Sequence, residues 1–277
     1  MKNDANHRSA FTLLEMAIVL AILALLTHLA VVRLDSGSLK PAQTRKLLSE
    51  IDHAINGLPA SVDAEGRPVP TGFLADMGRL PTSLTELWQC PDDATAYGPH
   101  QAADDPAIWV PGGWRGPYVT PGRGGERFLD PWGNELEALA QEDGSLVVRS
   151  LGSDGAPGWD GATEPARDMG FTNPPPICVL TVIPYFYGKS APSNAADVAD
   201  ADGEERPTRL YGYSSRGGTI LAQCSDVQII ASGTPVQAEG LTPGYGAFRI
   251  EREGVLGPIH PVVLRPGTNV VVVTERR

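Results

Sequence analysis

From Phe11 to Val32 the chain runs through 22 residues in which Glu15 is the only charged side chain. At about 1.5 Å per residue such a run makes about 33 Å of helix, enough to cross the hydrocarbon core of a bilayer. Lipid offers no partner to backbone N–H and C=O groups, so a segment of this kind folds as a helix. Residues 1–10 are short and polar and carry Lys2 and Arg8. That basic leader predicts a cytoplasmic N-terminus and an exported remainder. Glu15 conflicts with a plain anchor, because an ionised carboxylate at the centre of a spanning helix costs about 2.5–3.5 kcal/mol on insertion scales. No small-x-small cleavage site follows the run, where Leu29-Ala-Val-Val-Arg33 stands instead. Cleavage before the run would leave an α-amine at Phe11. That amine and the Glu15 carboxylate of a neighbouring helix would neutralise each other and set the stagger between helices.

Ala10 followed by Phe11-Thr-Leu-Leu-Glu15 resembles the processing site of type IV pilins and type II secretion pseudopilins. The resemblance implies that prepilin peptidase cuts between Ala10 and Phe11 and methylates the new amine, and that Glu15 guides assembly. It also implies a set of partners: other pseudopilin subunits, the peptidase, and an inner-membrane assembly platform with its ATPase. The implied location is the bacterial inner membrane, crossed once, with the head in the periplasm. Two positions depart from the family pattern. Ala10 stands where the family usually has Gly, and Val32 stands where many members carry a helix-breaking Pro, so the backbone there should stay hydrogen-bonded.

The chain reads as α+β, in four divisions: a leader at 1–10, a transmembrane helix at 11–34, a globular head at 35–172 and an all-β, sandwich-like domain at 173–277. The 31 Gly and 25 Pro favour many turns and short strands. A net charge of −11 argues against nucleic acid as a partner, which would call for a basic face. After a hinge at Asp35-Ser-Gly-Ser38, an apolar stripe of Leu47, Leu48, Ile51, Ala54, Ile55 and Leu58 predicts a second helix beginning near Lys40. Gly57 and Pro59 end the pattern. A short helix is expected at 82–88 and a strand at 146–151.

Three phrases punctuate the head: Gly72-Phe-Leu-Ala-Asp-Met-Gly-Arg-Leu-Pro81, Gly113-Trp-Arg-Gly-Pro-Tyr118 and Asp130-Pro-Trp-Gly-Asn134. Read from the residues, they are tight turns with aromatic anchors, and Asp130 caps a turn. The order GWRGPY, DPWGN, SLGSDG is similar to the major pseudopilin of type II secretion. That resemblance implies a calcium-binding loop after the strand at 146–151. Its ligands would be the carbonyls of Leu151 and Ser153 and the side chains of Asp154 and Asp168, with Asp160 a further candidate. Calcium takes six to eight oxygens, and a Gly-rich loop can turn carbonyls inward. The alternative is an Asx-turn loop with solvated aspartates.

Beyond Asn173-Pro-Pro-Pro176, strand-like runs follow at 177–187, 208–213, 218–224, 227–231, 247–253, 260–265 and 269–274, separated by turn residues. The last two read as a hairpin closing the domain. Residues 195–205, rich in Asp and Glu, lack the spacing of an EF-hand loop and read as a solvated loop. Of the three cysteines, Cys178 and Cys224 are the candidate disulfide, since both lie in strand-like runs of the same region; the alternative is three free thiols. No Gly-x-Ser-x-Gly, HExxH or P-loop pattern is present, and His53, His100 and His260 lie in separate segments. The chain therefore reads as a non-enzymatic assembly subunit of a type II secretion pseudopilus. Two alternatives are a minor type IV pilin with an adhesive tip domain and a membrane-tethered binding module.

Overall fold

The computed structural model describes residues 13–35, 39–58, 61–122, 125–158, 167–187 and 205–276. The leader, the hinge at 36–38 and the acidic stretch at 195–204 lie outside them. The chain is α+β and rich in strands. Helix α1, Leu13–Asp35, runs through Val32 without a break. Its side chains are described for 14–27, and these are exposed. Among the described residues no helix is long and apolar enough to cross a membrane.

Helix α2, Leu39–Asn56, buries Leu48, Ile51, Ala54 and Ile55. Leu58, expected on the same stripe, is exposed. The reason is local: Gly57 adopts φ 76°, which ends the helix and turns the chain away one residue earlier. The α2 stripe packs on Phe73 and Met77 of α3 (Phe73–Met77), on Leu84 and Leu87 of a 3₁₀ turn (Leu84–Leu87), and on Phe128, Leu136, Leu146 and Val148. The head carries two small sheets. One pairs β1 (Gly98–Gln101) with β2 (Trp109–Gly112); the other has the order β3 (Glu137–Ala140), β4 (Leu146–Ser150), β5 (Met169–Asn173). Elements β1, β2, β3 and β5 are only four or five residues long, too short for a period-two pattern to stand out, which is why the sequence gives little sign of them.

The remaining strands form two sheets. One contains β10 (Val236–Leu241), β6 (Cys178–Tyr187) and β14 (Gly267–Arg276), in that order. The other contains β12 (Val255–Leu256), β11 (Gly244–Arg252), β7 (Arg206–Arg216) and β8 (Thr219–Cys224). In it β9 (Gln228–Ile230) also pairs with β7, and β13 (His260–Leu264) pairs with β11. Both sheets feed one core that includes Leu180, Val182, Leu210, Phe248, Ile250 and Val273.

Two expectations are corrected here. The last two strands do not form a hairpin: β13 pairs antiparallel with β11, whereas β14 pairs parallel with β6. Between them Asn269 braces the crossing. Its Oδ1 accepts the Arg265 N–H at 2.9 Å and its Nδ2 donates to the carbonyls of Arg265 (2.8 Å) and Gly267 (3.1 Å). The three cysteines are free. Cys178 is buried in the three-stranded sheet, while Cys224 is exposed at the end of β8 in the other sheet. Burial pushes the Cys178 thiol up to about 12, so it stays protonated at neutral pH.

Residues 173–276 are joined closely to the head. Ala102, Ile108 and Val110 share a core with Tyr213 and Ala247. The Gly217 N–H donates to Met77 O at 2.8 Å, and Thr95 N–H donates to Gly217 O at 3.1 Å. A side chain at Gly244, whose φ is 115°, would place its Cβ 2.0 Å from Ala75 O.

Candidate functional site

The first two head phrases meet at a polar joint, and the third makes its own with the loop after β4. Asp76 of α3 accepts a hydrogen bond from Arg115 Nε of the second phrase on Oδ2 at 3.0 Å, and Arg115 Nη2 lies 2.9 Å from its Oδ1 as an ion pair. Asp76 is 2% exposed. Burial raises its carboxyl to about 6 against the lowering pull of Arg115. The Arg115 guanidinium also lies 4.7 Å over the Tyr97 ring. Trp114 Nε1 donates to Glu86 O at 2.9 Å, tying the second phrase to the 3₁₀ turn.

The third phrase opens toward the loop after β4. Asp130 is buried and caps its own turn, its Oδ1 accepting the N–H groups of Trp132 and Asn134 at 2.9 Å each. Its Oδ2 accepts the Ser150 hydroxyl at 2.7 Å, and Ser150 Oγ in turn accepts the Gly152 N–H at 3.2 Å. Asn134 Nδ2 donates to Gly152 O at 2.6 Å. The start of the loop is thus clamped from DPWGN.

Its far end is clamped by Asp168, whose side chain is fully buried. Oδ2 of Asp168 accepts the Gly158 N–H at 3.1 Å and lies 3.9 Å from Arg149 Nη1. Oδ1 is buried with no hydrogen-bond partner among the described residues. A carboxylate oxygen in that condition calls for a cation or a donor. Leu151 is half-buried, and Ser153 and Asp154 are exposed. Asp154 Oδ1 accepts the Ala156 N–H at 3.2 Å, an Asx turn of the kind expected in the alternative reading. Asp160 lies outside the described residues. Among the described residues no group of three or more His, Cys, Asp or Glu is placed to hold a metal. The predicted set has two described carboxylates and two carbonyls, a donor set suited to a hard cation alone.

Glu15 stands in the first turn of α1 and is exposed. Ala10 and Phe11 lie outside the described residues. Two of the acidic side chains in the adjacent pairs Asp92-Asp93 and Asp104-Asp105 are anchored: Asp93 accepts from Arg79, and Asp105 pairs with Arg249 of β11. His100 Nε2 lies 3.0 Å from Gly112 O, and His260 Nε2 lies 3.1 Å from Glu275 Oε1. Ser214 Oγ accepts the Thr242 N–H at 3.0 Å. Among the described residues these groups serve packing, and none forms a nucleophile–base pair. The Asp76–Arg115 and Asp130–Ser150 pairs were missed in the sequence because their members lie tens of residues apart with no spacing rule linking them.

A leader, an apolar helix with an acid in its first turn, and a small head whose turns are locked by buried polar side chains define a pilin-like subunit. The model of the prokaryotic N-terminal methylation motif matches residues 5–31. The chain is 31% identical over 155 residues to the type II secretion system core protein G of Aeromonas hydrophila, covering 56% of this chain and 89% of that protein. The chain belongs to this family of type II secretion pseudopilins.

Proposed function

We propose that the protein is a pseudopilin cut between Ala10 and Phe11, methylated at the new amine, held in the inner membrane by α1 as a single pass with its head in the periplasm, and polymerised with other pseudopilins. The observation that carries this reading is the sequence Phe11-Thr-Leu-Leu-Glu15 leading into a 23-residue helix, Leu13–Asp35, whose described side chains are exposed and, apart from Glu15 and Thr27, apolar. Such a helix leaves its apolar surface for lipid before assembly and for sister helices after it. The Glu15 carboxylate would set the stagger between helices by pairing with the Phe11 amine of a neighbour. The work of the protein is mechanical, not catalytic.

Intact-terminus mass spectrometry of the chain expressed with and without prepilin peptidase tests the reading. A mature chain beginning at N-methylated Phe11 is expected only with the enzyme, and Glu15→Leu should be processed and inserted yet fail to assemble. An unprocessed Met1 chain under both conditions, or normal filaments from Glu15→Leu, would overturn it.

Calcium belongs to the same reading. The carbonyls of Leu151 and Ser153 with the carboxylates of Asp154 and Asp168 would hold it, and the unpartnered Oδ1 of Asp168 supports the assignment. When bound, the ion would neutralise that buried carboxylate and stiffen the loop. Calcium at a hundred times its Kd should stabilise the protein by about 2.7 kcal/mol, visible as a raised Tm that EGTA reverses. Asp168→Asn should remove the increment; a Tm indifferent to calcium would discard the site.

A further inference from the structure

Strand β14 is a ten-residue strand that, among the described residues, is hydrogen-bonded to another strand on one side only. It pairs in parallel with β6 from Gly267↔Cys178 to Arg276↔Tyr187, without a bulge. Among the described residues no strand pairs with its other edge. Val271 and Val273 face the shared core, while Val270 and Val272 point outward, 61% and 60% exposed. Between Arg265 and Glu275 the strand carries no charge, and no proline follows Pro266. Natural edge strands are usually blunted by lysine, proline, a bulge or shortness, because their open N–H and C=O groups recruit another strand. Along 267–274 none of these devices is present.

We propose that this edge pairs antiparallel with β14 of a second copy, about a two-fold axis at Val271. The chain's own sequence argues for a copy as the occupant, because Thr268-Asn-Val-Val-Val-Val-Thr274 is nearly the same read in either direction. With the axis at Val271, the outward face pairs Thr268 with Thr274 and Val270 with Val272. Matched β-branched and Thr–Thr pairs of this kind stabilise antiparallel ladders. Shifting the axis by one residue along each strand, to Val270 or Val272, sets Val against Thr and brings Pro266 or Arg276 into the ladder. Charge points the same way. Two chains of net charge −11 repel, and this charge-free edge lets copies meet without opposing carboxylates. The result is one six-stranded sheet with the two β14 strands at its centre. A two-fold contact closes on itself and cannot propagate along a screw axis, so it joins subunits laterally rather than along a filament. The inference does not depend on Glu15 or on processing.

The test uses full-length chains in detergent with Cys90→Ser and Cys224→Ser, leaving the buried Cys178. One tagged chain carries Val270→Cys and a second carries Val272→Cys. Mild oxidation of the mixture should give a disulfide-linked heterodimer in several-fold excess over the homodimers formed by either chain alone. Because α1 could also associate in detergent, a further comparison isolates the strand: Val270→Lys with Val272→Lys should weaken dimerisation at least tenfold by sedimentation, with unchanged circular dichroism. Equal cross-linking in the mixture and the single chains would overturn the proposal. So would thiols at 270 and 272 that stay monomeric and shielded from maleimide, which would mean the chain covers its own edge, or a double-lysine variant that sediments as the parent does.

Discussion

The head and the C-terminal sheets solve the same problem by different means. Strands β6, β7, β11 and β14 are nine to eleven residues long, so their backbone groups are satisfied in ladders and their side chains meet in an apolar core. The head strands are four or five residues long, and its α3 and 3₁₀ turn no longer. Elements that short leave many backbone groups at their ends, and the head meets some of them with polar side chains: Asp130 accepts the N–H groups of Trp132 and Asn134, Trp114 and Asn134 donate to main-chain carbonyls, and the buried carboxylates Asp76 and Asp130 are tied to Arg115 and Ser150. A small domain without long ladders depends on such joints, whereas a ladder-built region depends on its apolar pairs. The two are welded where β2 and α3 meet β7 and β11.

The weld offers the largest test of that contrast. Gly244→Val would drive a side chain into Ala75 O at a backbone angle that L residues rarely adopt. It should destabilise the protein by about 4 kcal/mol or more in urea denaturation and split one unfolding transition into two. An unchanged single transition would show that the regions do not support each other. Next comes the polar joint of the head. Asp76 has a folded pKa of about 6, above the ordinary 3.8, with burial the main cause. Between those values the folded state keeps a proton that the unfolded state has lost. The Asp76 contribution is therefore greatest below about pH 4 and declines as pH rises to about 6, by up to about 3 kcal/mol. Asp76→Asn should flatten the stability profile over that window, and a profile identical to the parent's would break the assignment. The smallest effect is in labelling. Cys90 and Cys224 should react with a thiol reagent in the native protein, and Cys178 only after unfolding; a fast-reacting Cys178 would mean that the ladder-built core is open.

Legibility differed between the regions for physical reasons. The α2 stripe was visible because Leu48, Ile51, Ala54 and Ile55 repeat at the helical period, which burial enforces. The error at Leu58 arose one residue past Gly57, where a positive φ outweighs apolarity. Most of the long C-terminal strands were visible as β-branched runs, yet their partners were not. His260–Leu264 and Gly267–Arg276 look like a hairpin because they are adjacent, and only the Asn269-braced crossing sends them to separate sheets. In the candidate calcium loop Asp168 was named from a resemblance. Its clamps, Asn134 and Asp130, were not, because they act from another segment.

By itself the sequence determined what is local. An apolar run with one acid, a helical stripe and turn phrases each act within a few residues of themselves, and the family follows from them. Only the tertiary structure decided what depends on distant segments meeting: which carboxylate is buried against which arginine, which cysteines stay apart, and which strand edge has no partner among the described residues. Pairing across dozens of residues depends on packing and register, and neither is encoded in the spacing of any single segment.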